Sequence, residues 1–208
     1  DGLNQKQAAC NLQAAYTFQK VPCMHHTVYR QDAQAKWLYR QAWYDAEQQL
    51  WTEHVGKVGY RGKSTTLMVA KSAVEQLASL RLQHAAESAQ LGYAAFPSEL
   101  CCDMVVQYPL KSAMGNQRDA WLQDKVSTYL NECLGWTGLG HVDGSDRGQH
   151  KLNVFCQVVW HDKALSTIKS CLRTSRLDFN RARIASKTQA EESYCLQYAH
   201  TAVSDFSL

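Results

Sequence analysis

No apolar run of about 18 residues, the length that marks a membrane-spanning helix, occurs in this 208-residue chain. No signal-like segment opens it either, so the expectation is a cytoplasmic protein with no membrane partner. A large charge excess is also missing. The net charge of +3 is too small to announce a nucleic-acid binder by itself. Its distribution is slightly uneven: residues 21–98 carry eight Lys/Arg against six Asp/Glu, and residues 99–208 carry twelve of each. The first part is therefore the better candidate for an anionic partner. There is no disulfide-type clustering. The eight cysteines are dispersed, several of them (Cys133, Cys156, Cys171, Cys195) inside apolar patterns where a reduced cysteine acts as a small hydrophobe. A chain of this length needs no staples, and free thiols are expected.

Catalytic and metal signatures are lacking as well. Gly62-Lys63-Ser64 looks like the close of a phosphate-binding loop, but the first glycine of that motif would fall at position 57, which is Lys57. Cys23-x-His25-His26 has no second ligand pair, and His25 and His26 would point to opposite faces of a strand. Cys101-Cys102 likewise has no partner pattern and reads as a buried strand start. Asp143-Gly144-Ser145-Asp146 lacks the spacing of a calcium loop, and turn chemistry between two strands is its simpler reading. No cysteine sits in a recognisable nucleophile context beside His141, His150 or His161. The expectation is a non-enzyme with no cofactor and no metal. A small hydrolase or transferase built on Asp143, Asp146 and a histidine stands as the third alternative.

What is present is a basic, glycine-punctuated stretch, Val55-Gly56-Lys57-Val58-Gly59-Tyr60-Arg61-Gly62-Lys63. Glycines so spaced allow a left-handed backbone or close approach of another segment. Around it the pattern reads as α+β. A short amphipathic helix is expected over 4–20, and Val21-Pro22 ends it. Strands follow at 24–30, 36–45, 50–58 and 64–69, with turns at 31–35 and 45–49. Ser72 and Glu75 have capping-box spacing for a long helix faced by Ala73, Val74, Leu77, Leu80, His84 and Leu91, with Gly92 as its stop. Trp37, Leu38, Tyr39, Trp43 and Tyr44 fit core and cross-strand packing, with an exposed stacking platform as the alternative.

After a short Pro97-Ser98-Glu99 linker, a strand at 102–108 precedes a helix marked by Leu122, Val126, Tyr129, Leu130, Cys133 and Leu134 and closed by Gly135. Strands are expected at 136–142 and 151–159 with a turn over 143–148 between them. Then come a helix marked by Ala164, Leu165, Ile168, Cys171 and Leu172, and last strands at 181–186 and 193–198. This βαββαβ order is that of a ferredoxin-like split fold. The domain reading is an N-terminal helical segment at 1–22, a first domain at 23–97 and a ferredoxin-like domain at 98–208.

The order of three strands, a Gly-basic-aliphatic-Gly-x-x-Gly turn, a fourth strand, a capped helix and Gly92-Tyr93 resembles the WGR domain over roughly Met24 to Phe96. That module occurs in DNA-dependent poly(ADP-ribose) polymerases and in small bacterial proteins. Where the family has Trp-Gly-Arg, this chain has Val55-Gly56-Lys57. The second half is similar to the C-terminal domain of uncharacterised bacterial proteins. The resemblance implies a WGR-like antiparallel sheet with one long helix and a nucleic-acid partner. Lys57, Arg61, Lys63 and Arg40 would then lie at the DNA backbone, and Gly56, Gly59 and Gly62 would shape the loop. The alternative is a protein-interaction or immunity-type module with a protein partner.

Overall fold

The computed structural model describes residues 26–201 and 206–208, and its fold is α+β. The helix expected over 4–20, and Cys23 and His25, lie outside the described residues. Four strands, β1 (His26–Gln31), β2 (Trp37–Asp45), β3 (Leu50–Lys57) and β4 (Lys63–Met68), form an antiparallel sheet in chain order. Helix α1 (Val74–Gln90) follows. The second sheet has the order β6-β7-β5-β8-β9 and is also antiparallel. Its members are β5 (Cys102–Pro109), β6 (Gly140–Gly148), β7 (Lys151–Val158), β8 (Arg183–Thr188) and β9 (Cys195–Ala199), with helices α2 (Gln117–Gly135) and α3 (His161–Thr174) packed on it. Among the described residues, no helix is long and apolar enough to cross a membrane.

Strand β2 explains why the first sheet reads as dense in aromatics: both of its faces are covered. Successive side chains on a strand point to opposite sides. Ala42 and Tyr44 pack with Trp51, Val69 and Leu77 under α1. Tyr39 joins Val58 and the large core of the second half. The Tyr44 hydroxyl donates to the Val69 carbonyl at 2.7 Å, which ties the strand to the exit of β4. The aromatics therefore pack rather than form an open platform. Trp37 meets Phe96 at 4.7 Å and Trp43 meets Trp136 at 5.4 Å between ring centroids.

The second-half core is built from alternation on β5 and β7 against the 3.6-residue stripe of the helices. Met104, Val106 and Tyr108 face Leu122, Val126, Leu130, Leu134, Ile168 and Leu172, all fully or almost fully buried. Burial of each such leucine contributes about 1.5–3 kcal/mol. On the opposite face, Gln107 donates to Asn153 at 2.9 Å and Asn153 donates to Asp146 at 2.8 Å, a polar ladder across β5, β7 and β6.

Several local expectations differ from the structure. The Ser72–Glu75 box does not form; α1 begins after Ala73, which makes no side-chain cap, because the chain leaving β4 first turns through Ala70–Ala73. Only Leu77, His84 and Ser88 of α1 are buried, while Val74 and Leu91 are exposed. Gly92 does stop it, with a left-handed φ of +78° and a Tyr93 N–H to Ser88 carbonyl bond of 2.9 Å. A capping box does occur on α2. The Asn116 side chain accepts from the backbone N–H groups of Arg118 and Asp119, and Asp119 accepts from the N–H of Asn116.

The segment after α2 is not a strand from Trp136. It turns through Gly138 at φ +61°, with the Leu139 N–H bonded to the Leu134 carbonyl, and β6 begins only at Gly140. Residues 143–148 are strand rather than turn. Asp143 sits at a bulge, and the reversal is made by Gln149 and His150, at φ 49° and 63°. Two successive positive φ values give the turn that suits a twisted hairpin. His150 is held there by bonds to Leu110 and Ala113.

Candidate nucleic-acid interface

The glycine stretch leaves β3, turns at Val58–Gly62 and enters β4. Its shape is set by Tyr39, which is 0% exposed. A Cβ at Gly56 would come within 2.7 Å of the Tyr39 hydroxyl oxygen, and one at Gly62 would meet the same oxygen at 2.7 Å and collide with the Val55 carbonyl. These two glycines are there for close approach of backbone to a buried ring. Gly59 has a separate reason: φ is +85°, its N–H donates to the Thr137 carbonyl at 2.8 Å, and a Cβ would meet Lys163 at 2.9 Å.

Beneath the turn runs a buried polar chain. The Gln41 amide nitrogen lies 2.7 Å from His54 Nδ1 and 3.0 Å from the Gly135 carbonyl. Its oxygen accepts from Thr27 at 3.1 Å. An amide nitrogen only donates, so Nδ1 is the acceptor and the imidazole carries its proton on Nε2. That Nε2 lies 3.4 Å from the Tyr39 hydroxyl, which in turn reaches the carbonyls of Tyr60 at 3.2 Å and Trp136 at 3.1 Å. Burial holds His54 below its ordinary pKa and raises Tyr39 to about 12, so both are neutral near pH 7.

The four expected basic residues have different surroundings. Lys57 and Lys63 share one face of the sheet, because Lys63 pairs with Val55, two residues before Lys57. Lys57 Nζ lies 5.2 Å from the Tyr60 ring centroid. Arg61 lies over the Trp136 ring at 5.0 Å. Arg40 is 7% exposed and bonded to Glu87 at 2.8 Å and Glu53 at 3.1 Å, so two carboxylates already occupy its guanidinium.

Sequence reading does not single out Tyr60 or Lys163 as contacts, yet they complete the surface. Tyr60 is 52% exposed at the tip of the turn. Lys163, from the first turns of α3, places its ammonium 4.9 Å from the Tyr60 centroid. An exposed tyrosine among basic residues is a signal the stretch carries. Lys163 lies a hundred residues further on, and nothing local marks it.

Asp143 and Asp146 lie on the exposed part of β6, and Asp146 is bonded to Asn153. Among the described residues, no group of three or more His, Cys, Asp or Glu is placed to hold a metal ion. His161 bonds to Asp162 at 2.8 Å and Ser186 at 3.0 Å, away from both aspartates of β6 in the hydrogen-bond pattern. No protein-family model, no curated protein and no solved structure matches the chain.

Proposed function

We propose that this chain is a non-enzymatic, WGR-like protein that binds nucleic acid weakly through the phosphate backbone. In this reading residues 23–97 form the WGR-like domain and residues 98–208 a ferredoxin-like domain. The order sheet, glycine turn, helix and Gly92-Tyr93 supports the first assignment, and the βαββαβ order of β5 to β8 supports the second, with β9 added at the edge. The observation that carries the functional reading is the half-exposed Tyr60 ring with the Lys57 and Lys163 ammonium groups within about 5 Å of it. An aromatic face beside cations suits a base stacked on the ring with its phosphates at the lysines. Arg61 and Lys63 flank this tip; Arg40 is left out because its carboxylate partners already neutralise it. Phosphate contacts of this kind position a strand without reading its sequence. A titration with labelled single-stranded, nicked and blunt duplex DNA tests the reading. Binding to at least one form at low salt is expected, and no binding to any of them overturns it.

A second reading rests on β4. All six of its residues are exposed, and among the described residues it is an outer strand of the first sheet, at the end opposite β1. An open edge of this kind accepts an extended peptide as a further strand. This is the protein-interaction alternative, and its occupant would be a β-strand of a partner protein. A Thr66→Pro variant, which blocks edge pairing, would abolish such binding and leave nucleic-acid binding unchanged.

A further inference from the structure

The Cys133 and Cys171 sulfurs lie 2.9 Å apart, across the contact between α2 and α3. Both are free thiols. We propose that this pair is a site of covalent modification: peroxide converts it to an intrachain disulfide, with Cys133 attacked first and Cys171 resolving. Closing the bond needs the sulfurs to approach by about 0.9 Å, to the roughly 2.05 Å of a disulfide.

The roles follow from the surroundings. Cys133 is partly exposed in the last turn of α2, whereas Cys171 is buried at 5%. Peroxide from solvent therefore reaches Cys133 first. Cys133 Sγ donates to Cys171 Sγ, and the neighbouring Cys171 sulfur holds the Cys133 thiol below its ordinary pKa against the opposing effect of burial. Cys171 is correspondingly pushed up, and it also lies 3.4 Å from the Tyr129 carbonyl. The difference in exposure therefore sets the order, with the partly exposed Cys133 oxidised first and the buried Cys171 closing the bond.

The chemistry balances in two steps. The Cys133 thiolate displaces hydroxide from hydrogen peroxide and becomes a sulfenic acid. Cys171 then attacks that sulfur, its proton leaves with the departing hydroxide as water, and the S–S bond forms. Two thiols and one peroxide give one disulfide and two waters. Of the other described cysteines, Cys101, Cys102 and Cys156 are buried, and burial raises each of them. Cys195 is exposed without a thiol partner among the described residues.

The bond would join the two helices that carry Lys163 and, just beyond Gly135, Trp136, the side chains that meet the glycine turn. The test is peptide mapping of the full chain under non-reducing conditions after treatment with a few equivalents of hydrogen peroxide. The expected product is a Cys133–Cys171 linked peptide, two hydrogens lighter than its reduced parts and restored by dithiothreitol. In a Cys171→Ser variant, a 1,3-dione probe should instead label Cys133 as the sulfenic acid. Oxidation that leaves both thiols free to alkylate, or that links either one mainly to another cysteine, overturns the proposal. The wild-type map decides the matter even where the variant does not fold.

Discussion

Gly138 lies flat against the Tyr39 ring, so close that a Cβ at that position would collide with the ring carbons. The contact joins the turn after α2 to the second strand of the first sheet, 99 residues earlier in the chain (138 minus 39). Together with the Tyr39–Trp136 and Gln41–Gly135 bonds, it seats the first sheet on the C-terminal end of α2.

Gly138→Ala is expected to cost about 2–4 kcal/mol, combining overpacking with a left-handed backbone. Gly92→Ala is the control. It shares a positive φ, but nothing lies within 4 Å of its Cβ, so about 1 kcal/mol is expected. Chemical denaturation of both variants measures the difference. Equal costs would show that Tyr39 does not pack as described.

Stability should fall on acidification through the state of His54. Its folded pKa lies below the ordinary 6.5, chiefly through burial. The unfolded chain therefore takes up the proton more readily, and the contribution is complete above pH 6.5 and lost as pH falls below it. Protonation would also place an Nδ1–H against the Gln41 amide, a donor facing a donor. Melting temperatures between pH 8 and pH 5 should drop for the wild type and drop less for His54→Gln. Parallel curves would contradict the neutral assignment.

Asn116→Ala removes the acceptor for two backbone N–H groups at the start of α2. A loss of about 1 kcal/mol is expected, seen as a fall of roughly 2–4 °C in melting temperature. Ser72→Ala, at the box that does not form, should leave it unchanged. Thermal denaturation of the two variants side by side checks both statements.

Period and turn chemistry made most strands and all three described helices legible, because each is set by residues within a few positions of one another. Where the expectation failed, a distant contact decides. The two central residues of the hairpin, Gln149 and His150, are neither the glycine nor the asparagine that marks such turns, and bonds to the 110–113 segment hold His150 there. Arg40 reads as an exposed cation until Glu87, from a helix 47 residues away, is brought beside it. The glycines of the central stretch were visible, but Tyr39 as their cause was not. Cys133 and Cys171 each read as a small core hydrophobe, and only the helix packing makes them a pair.

Lys163 should matter to nucleic-acid binding although it belongs to the second half. Tyr60→Ala and Lys163→Ala are each expected to weaken binding of single-stranded DNA, the tyrosine by about 1–3 kcal/mol. Arg40→Gln should not weaken it beyond its effect on folding, since its partners are Glu53 and Glu87. Fluorescence anisotropy on folded variants reads all three.

The most direct measurement is the salt dependence of DNA affinity for the wild type and for Lys57→Ala/Arg61→Ala/Lys63→Ala. Each phosphate contact on duplex DNA adds about −0.9 to the slope of log K against log salt. With Lys163 as the fourth contact, a wild-type slope of about −3.6 that flattens to about −0.9 in the triple variant is the predicted result. Equal slopes in the two proteins, or no measurable binding by the wild type at low salt, would contradict it.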